Sequence, residues 1–163
     1  NSDNEFTVAH IDDDVCIEVN TTEAYFYNGS ININFKDDDN WESHVAGMNN
    51  LSRYTGDVKS SRYGWLTNSD HSQEGYVIYA VDVGNNKTIN TLSVSGTARV
   101  FTYQNSKAVF EIYYSFDGVD FTLANSYPST TNGELSTEID LNLTSVAKGQ
   151  QIVYIKYVMK LLI

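Results

Sequence analysis

Between Trp41 and His71 the chain gathers both of its tryptophans, two of its three histidines and two of its three arginines. Those residue types suit the recognition of a sugar. A flat aromatic ring covers the apolar C–H face of a pyranose, and planar polar groups meet its hydroxyls. Trp41 and Trp65 are the candidate platforms, and His44, Arg53, Tyr54, Arg62, Tyr63 and Asn68 surround them in sequence. Tyr127, in the polar stretch 125–134, is a further candidate wall. Several of these have a second reading. Trp65 sits between Gly64 and Leu66 and also fits a core, and Arg62 also fits as the ion-pair partner of a carboxylate.

Asp37, Asp38, Asp39 and Asn40, with Glu42 close behind, form an oxygen-rich run. Calcium takes about six to eight such oxygens. The run lacks the spaced pattern of an EF-hand loop, and a solvated acidic turn is the competing reading. Asp117 and Asp120 read as residues that shape their own turn. The chain holds no Gly-x-Ser-x-Gly, no His-Glu-x-x-His, no phosphate-binding loop and no Cys/His metal set. Its 21 acidic residues allow carboxylate pairs for glycoside cleavage, but separation decides that chemistry and sequence does not give it.

The elements that must hold these groups are strands. Residues 75–122 alternate apolar and polar in three runs, broken by GNNK, YQNSK and FDGVD. Period two places one side-chain set on a buried face, and the breaks carry residues that tolerate turn backbones. Residues 135–143 and 150–160 alternate in the same way, with Ile152, Tyr154, Lys156 and Val158 on one face. Strands are also expected over 6–11 and 14–19, a hairpin over 24–35 about Asn28-Gly29, and a strand over 119–124 followed by a polar loop. Residues 36–74 alternate little, and short helical turns are expected near 42–52.

Composition agrees with an all-β domain. Aromatic residues make up 13% of the chain, and Pro128 is the single proline. A length of 163 residues fits one domain with a core large enough to need no cross-link. The net charge of −11 argues against nucleic acid, whose phosphates need a basic footprint, and against anionic membranes. Cys16 is the lone cysteine and reads as a core thiol. No apolar run is long enough to span a bilayer. The opening NSDNEF, without Met or a signal peptide, is read as the start of a piece excised from a larger secreted protein.

Three segments resemble the discoidin-like, or galactose-binding-like, superfamily, which includes factor 5/8 type C domains and family 32 carbohydrate-binding modules. GYVIYAVDVG (75–84) is similar to its W-(I/L)-x-V-D-L-G strand, YYSFDGVDF (113–121) to its Y-S-x-D-G-x-x-W/F hairpin, and QIVYIKYVM (151–159) to its A-R-Y-V-R-I closing strand. Tyr76 stands where the family often has Trp, Ile155-Lys156 where an Arg is common, and the coagulation-type cysteine pair is missing. The resemblance implies an antiparallel jelly-roll β-sandwich. It also implies a His, an Arg and an Asn at the sugar, which map by order to His44, Arg62 and Asn68, and a structural Ca2+ near Asp37–Asn40. The expected function is a non-catalytic, monomeric carbohydrate-binding module of a secreted, bacterial glycan-degrading enzyme. An adhesin or protein-interaction domain of the same fold is the alternative. A small lyase using His44, Arg62 and Tyr63 is the third reading.

Overall fold

The computed structural model describes residues 16–21, 27–32, 45–54, 64–67, 74–101, 107–128 and 134–162. Among them the chain is almost wholly strand, with one short helix. β1 (Cys16–Thr21), β2 (Tyr27–Asn32), β3 (Val45–Asn49), β4 (Leu51–Tyr54) and β5 (Gly64–Thr67) come first. β6 (Gly75–Asp82), β7 (Ile89–Phe101), β8 (Lys107–Ser115), β9 (Thr122–Pro128) and β10 (Glu134–Asn142) follow, and α1 (Thr144–Ala147) leads into β11 (Ile152–Leu162). All pairings are antiparallel. One sheet has the order β10-β7-β1-β2, a second has β3-β6-β11-β8-β9, and β4 and β5 form a separate ribbon.

The alternation read from sequence decides which side chains are buried. Val77, Tyr79 and Val81 of β6 point inward with Val153, Ile155 and Tyr157 of β11 and Ala108, Phe110 and Ile112 of β8. They meet Ile89, Leu92, Val94 and Ala98 of β7 and Ile139 of β10, so the two large sheets share one core. Phe110 and Tyr157 stack with centroids 5.9 Å apart, and Tyr79 meets Tyr157 edge-on at the same 5.9 Å. Each such side chain contributes about 1.5–3 kcal/mol through burial. The strands β6 to β11 repeatedly change sheet, and this interleaving closes the core from both sides.

Two connections show how the crossings are made. The GNNK break is a turn in which Gly84 has φ +90° and Asn86 φ +63°, and the Gly84 N–H donates to Asp82 Oδ1 at 2.8 Å. The β10–β11 connection carries α1 and is tied to β7. The Leu92 N–H donates to Thr144 Oγ1 at 3.0 Å, the Gly149 N–H to the Ile89 carbonyl at 2.8 Å, and the Ile89 N–H to the Gln150 carbonyl at 2.7 Å.

Three local expectations are overturned. Asn28 and Gly29 do not turn the chain. They lie within β2, opposite Asn20 and Val19 of β1, because the pairing partner outweighs a two-residue turn preference. Of the helical turns expected near 42–52, the described part, from 45 on, is strand instead. β3 pairs with β6, and Asn50, at φ +51°, joins it to β4. The strand expected at 119–124 and the loop after it are displaced. β9 starts at Thr122 and runs through Tyr127 to Pro128 on the edge of its sheet, where a missing N–H breaks no ladder. The strand expected over 6–11 lies outside the described residues.

Candidate functional site

Among the described residues of the segment that carries the sugar candidates, β3 joins the five-stranded sheet. Val45 shares a rung with Tyr79, Ile155, Tyr114 and Thr122. Asn49 lies opposite Tyr76, beside the rung of Gly75, Met159, Phe110 and Tyr127 at the other end of the sheet. β4, which carries Arg53 and Tyr54, follows β3 through Asn50 at that second end. Trp41, His44, Arg62, Tyr63, Asn68 and the acidic run Asp37, Asp38, Asp39 and Asn40 lie outside the described residues. The backbone does bring two predicted residues together: Arg53 of β4 is the direct register partner of Trp65 in β5, and Tyr54 is opposite Gly64.

Tyr127 is on a strand and not in a loop, which corrects its expected setting. It is half-buried and packs against the core, with its ring 6.3 Å from Phe110. Three inter-strand spacings, roughly 14 Å, separate its strand from Gly75, where the 55–74 segment returns to the sheet.

At the opposite end, the β8–β9 turn builds a second constellation from FDGVD. The Ser115 hydroxyl donates to Asp117 Oδ1 at 2.8 Å and accepts from the Gly118 N–H at 3.0 Å. The same Asp117 oxygen accepts the Val119 N–H at 2.8 Å and the Asp120 N–H at 2.9 Å. These backbone donors, with the Ser115 hydroxyl, hold the Asp117 carboxyl below its ordinary value, so it is ionised at neutral pH. Asp117 thus shapes its turn, as its position suggests. Gly118, at φ +76°, lays its backbone on the Tyr154 ring, and an added Cβ would come within 3.2 Å of that ring.

The turn walls an open hollow of about 390 Å3 lined by Tyr114, Ser115, Phe116, Asp117, Asp120 and Thr122. Tyr114 and Phe116 are half-buried against the core, with centroids 5.6 Å apart. Asp120 is exposed at the rim. Two rings, two carboxylates and two hydroxyl residues thus surround one depression. Sequence reasoning passed over Tyr114, Phe116 and Thr122 because the FDGVD signal was read as architecture alone. Nearby, Val119 and Leu123 are 78% and 48% exposed.

The outer face of the five-stranded sheet carries two further polar groups. Lys160 donates to Glu111 Oε2 at 2.8 Å and pairs with Glu74 at 3.5 Å, and the Tyr113 hydroxyl donates to the same Glu111 oxygen at 2.8 Å. Burial raises the Glu111 carboxyl, but the hydrogen bonds from Lys160 and Tyr113 and the Lys160 charge outweigh it and hold it below its ordinary value. The Glu111 hydrogen bond in turn raises Lys160. Lys156, on the same face, places its ammonium 4.2 Å from the Tyr76 ring centre and 5.3 Å from that of Phe121.

Among the described residues no group of three or more His, Cys, Asp or Glu could hold a metal, and no helix is long and apolar enough to cross a membrane. No protein-family model, curated protein or solved structure gives a match to this chain.

Proposed function

We propose that this chain is a non-catalytic carbohydrate-binding module, built as a discoidin-like jelly roll, that tethers a secreted glycan-active enzyme to its substrate. The observation that carries the reading is the hollow at the β8–β9 end, where Tyr114 and Phe116 adjoin Asp117, Asp120 and Thr122. Its lining joins apolar ring surface to carboxylate and hydroxyl groups, the combination a pyranose asks for. The jelly-roll assignment draws support from the sheets. The three segments that resemble the superfamily are β6, β11 and the β8 hairpin, and these strands are consecutive neighbours in one sheet. Calcium belongs to the same reading through Asp37–Asn40, and a fall in melting temperature on adding EDTA is its test.

A glycan screen tests the reading. Wild-type protein binds a defined subset of saccharides, with the modest affinity expected of a small contact area, and Asp120→Ala loses that binding while melting at the same temperature. A blank screen, or an Asp120→Ala protein that binds as the wild type does, contradicts it. The exposed Val119 and Leu123 beside the hollow favour a second reading, an adhesin or protein-interaction domain. A blank screen together with a defined protein partner lost on Val119→Asp would select that one.

A further inference from the structure

The two lysines on the outer face of β11 are held differently. Lys160 has two carboxylates within ion-pair distance. Among the described residues, no carboxylate pairs with Lys156. Its stem lies in the rung between Ile78 and Tyr113, and its ammonium rests over Tyr76 and near Phe121. The rings attract the cation through their faces but accept no strong hydrogen bond. An ammonium has three donors. Among the described residues, none accepts a hydrogen bond from it. Glu111, on the neighbouring strand, is held by Lys160, and the Tyr113 hydroxyl donates to Glu111. Phe121 lies in sequence between Asp120 and Thr122, two residues that line the hollow.

We infer that Lys156, cradled by Tyr76 and Phe121, is a binding point for a compact oxyanion, a carboxylate or sulfate, carried on the glycan. The inference rests on the carbohydrate reading and names the substrate class within it. An acidic substituent would complete the ammonium's hydrogen bonding. The carboxylates of the hollow would then force that substituent toward Lys156 and so fix one orientation of the sugar. The two cradling rings keep the cation in place, so little side-chain freedom is lost on binding.

The test uses oligogalacturonate, its methyl ester and a sulfated galactan, titrated into the intact chain, into Lys156→Gln and into Lys156→Arg. The ester keeps the ring and removes the charge. Wild type is expected to prefer the free acid over the ester by about tenfold, the worth of one charge-assisted hydrogen bond. Lys156→Gln removes that preference and leaves ester binding within about twofold, and Lys156→Arg keeps it. A preference shown by the galactan and not by the galacturonate assigns the oxyanion as sulfate. Melting temperatures of both variants near that of the wild type tie the effect to binding. If the ester binds as well as both acidic glycans, or if Lys156→Gln keeps the preference, the inference falls and the glycan reading stands. If no saccharide binds, both fall.

Discussion

The two faces of the five-stranded sheet are built to different rules. The inner face is closed and mostly apolar: Val77, Ile155 and Phe110 are fully buried against neighbours from the other sheet, with the Tyr79 and Tyr157 rings packed among them. The outer face is mixed. It carries Lys156 over Tyr76, the Glu111–Lys160–Tyr113 network and a tight turn laid on Tyr154. The difference separates stability from chemistry. The inner face holds the sheets together, and the outer face with its adjoining turn presents the groups able to contact a ligand.

The contrast is easiest to break in the core. Phe110→Ala removes a fully buried ring stacked on Tyr157 and is expected to cost about 3–5 kcal/mol by urea denaturation. Leu123→Ala, on the exposed side of β9, is expected to stay within about 0.5 kcal/mol. Equal losses would mean that the two faces do not differ in this way. The turn comes next. Gly118→Ala must adopt φ +76° and press on the Tyr154 ring, for an expected loss of about 1–2 kcal/mol in the same assay.

The outer network has a pH signature. Glu111 and Asp117 are both held below their ordinary values, so their stabilisation is complete above the unfolded pKa of about 4 and is lost as pH falls through the lower folded values. Lys160 and Tyr113 are both raised, so theirs is complete below about pH 10 and is lost as pH rises through the higher folded values. Urea midpoints measured across pH should therefore decline at both extremes. Glu111→Gln should flatten part of each limb, because it removes the acid itself and the hydrogen bond and charge that raise Lys160. A small effect is expected of Lys156→Gln, whose cation–π contacts are worth about 0.5–1 kcal/mol. A larger loss would reassign Lys156 from ligand contact to support of the fold.

Much of this fold was legible in the sequence, and the reason is periodicity. β6 alternates cleanly because one face is sealed, β8 and β11 alternate over part of their length, and FDGVD and GNNK turn where Asp117, Gly118, Gly84 and Asn86 permit it. The errors fall where strand pairing overrides the local pattern. Asn28-Gly29 carries a strong local turn signal, yet β1 draws it into a ladder. β3 looks irregular because a bulge between Val45 and Gly47 breaks its alternation, and its partner β6 lies about 30 residues along the chain. The candidate site was less legible. Tyr114 and Phe116 read as inward-facing strand residues, and only the fold back of the turn onto Tyr154 leaves a hollow beside them. The Arg53–Trp65 pairing depends on the β4–β5 register, which no local pattern announces.

Glycan recognition at the β8–β9 end is tested most directly by amide NMR of the isotopically labelled chain, titrated with the saccharide that scores highest in the screen. The account predicts shift changes concentrated at residues 114–122, with the Gly84–Lys87 turn unchanged as an internal control. Changes confined to other parts of the chain, or none at millimolar saccharide, would contradict it.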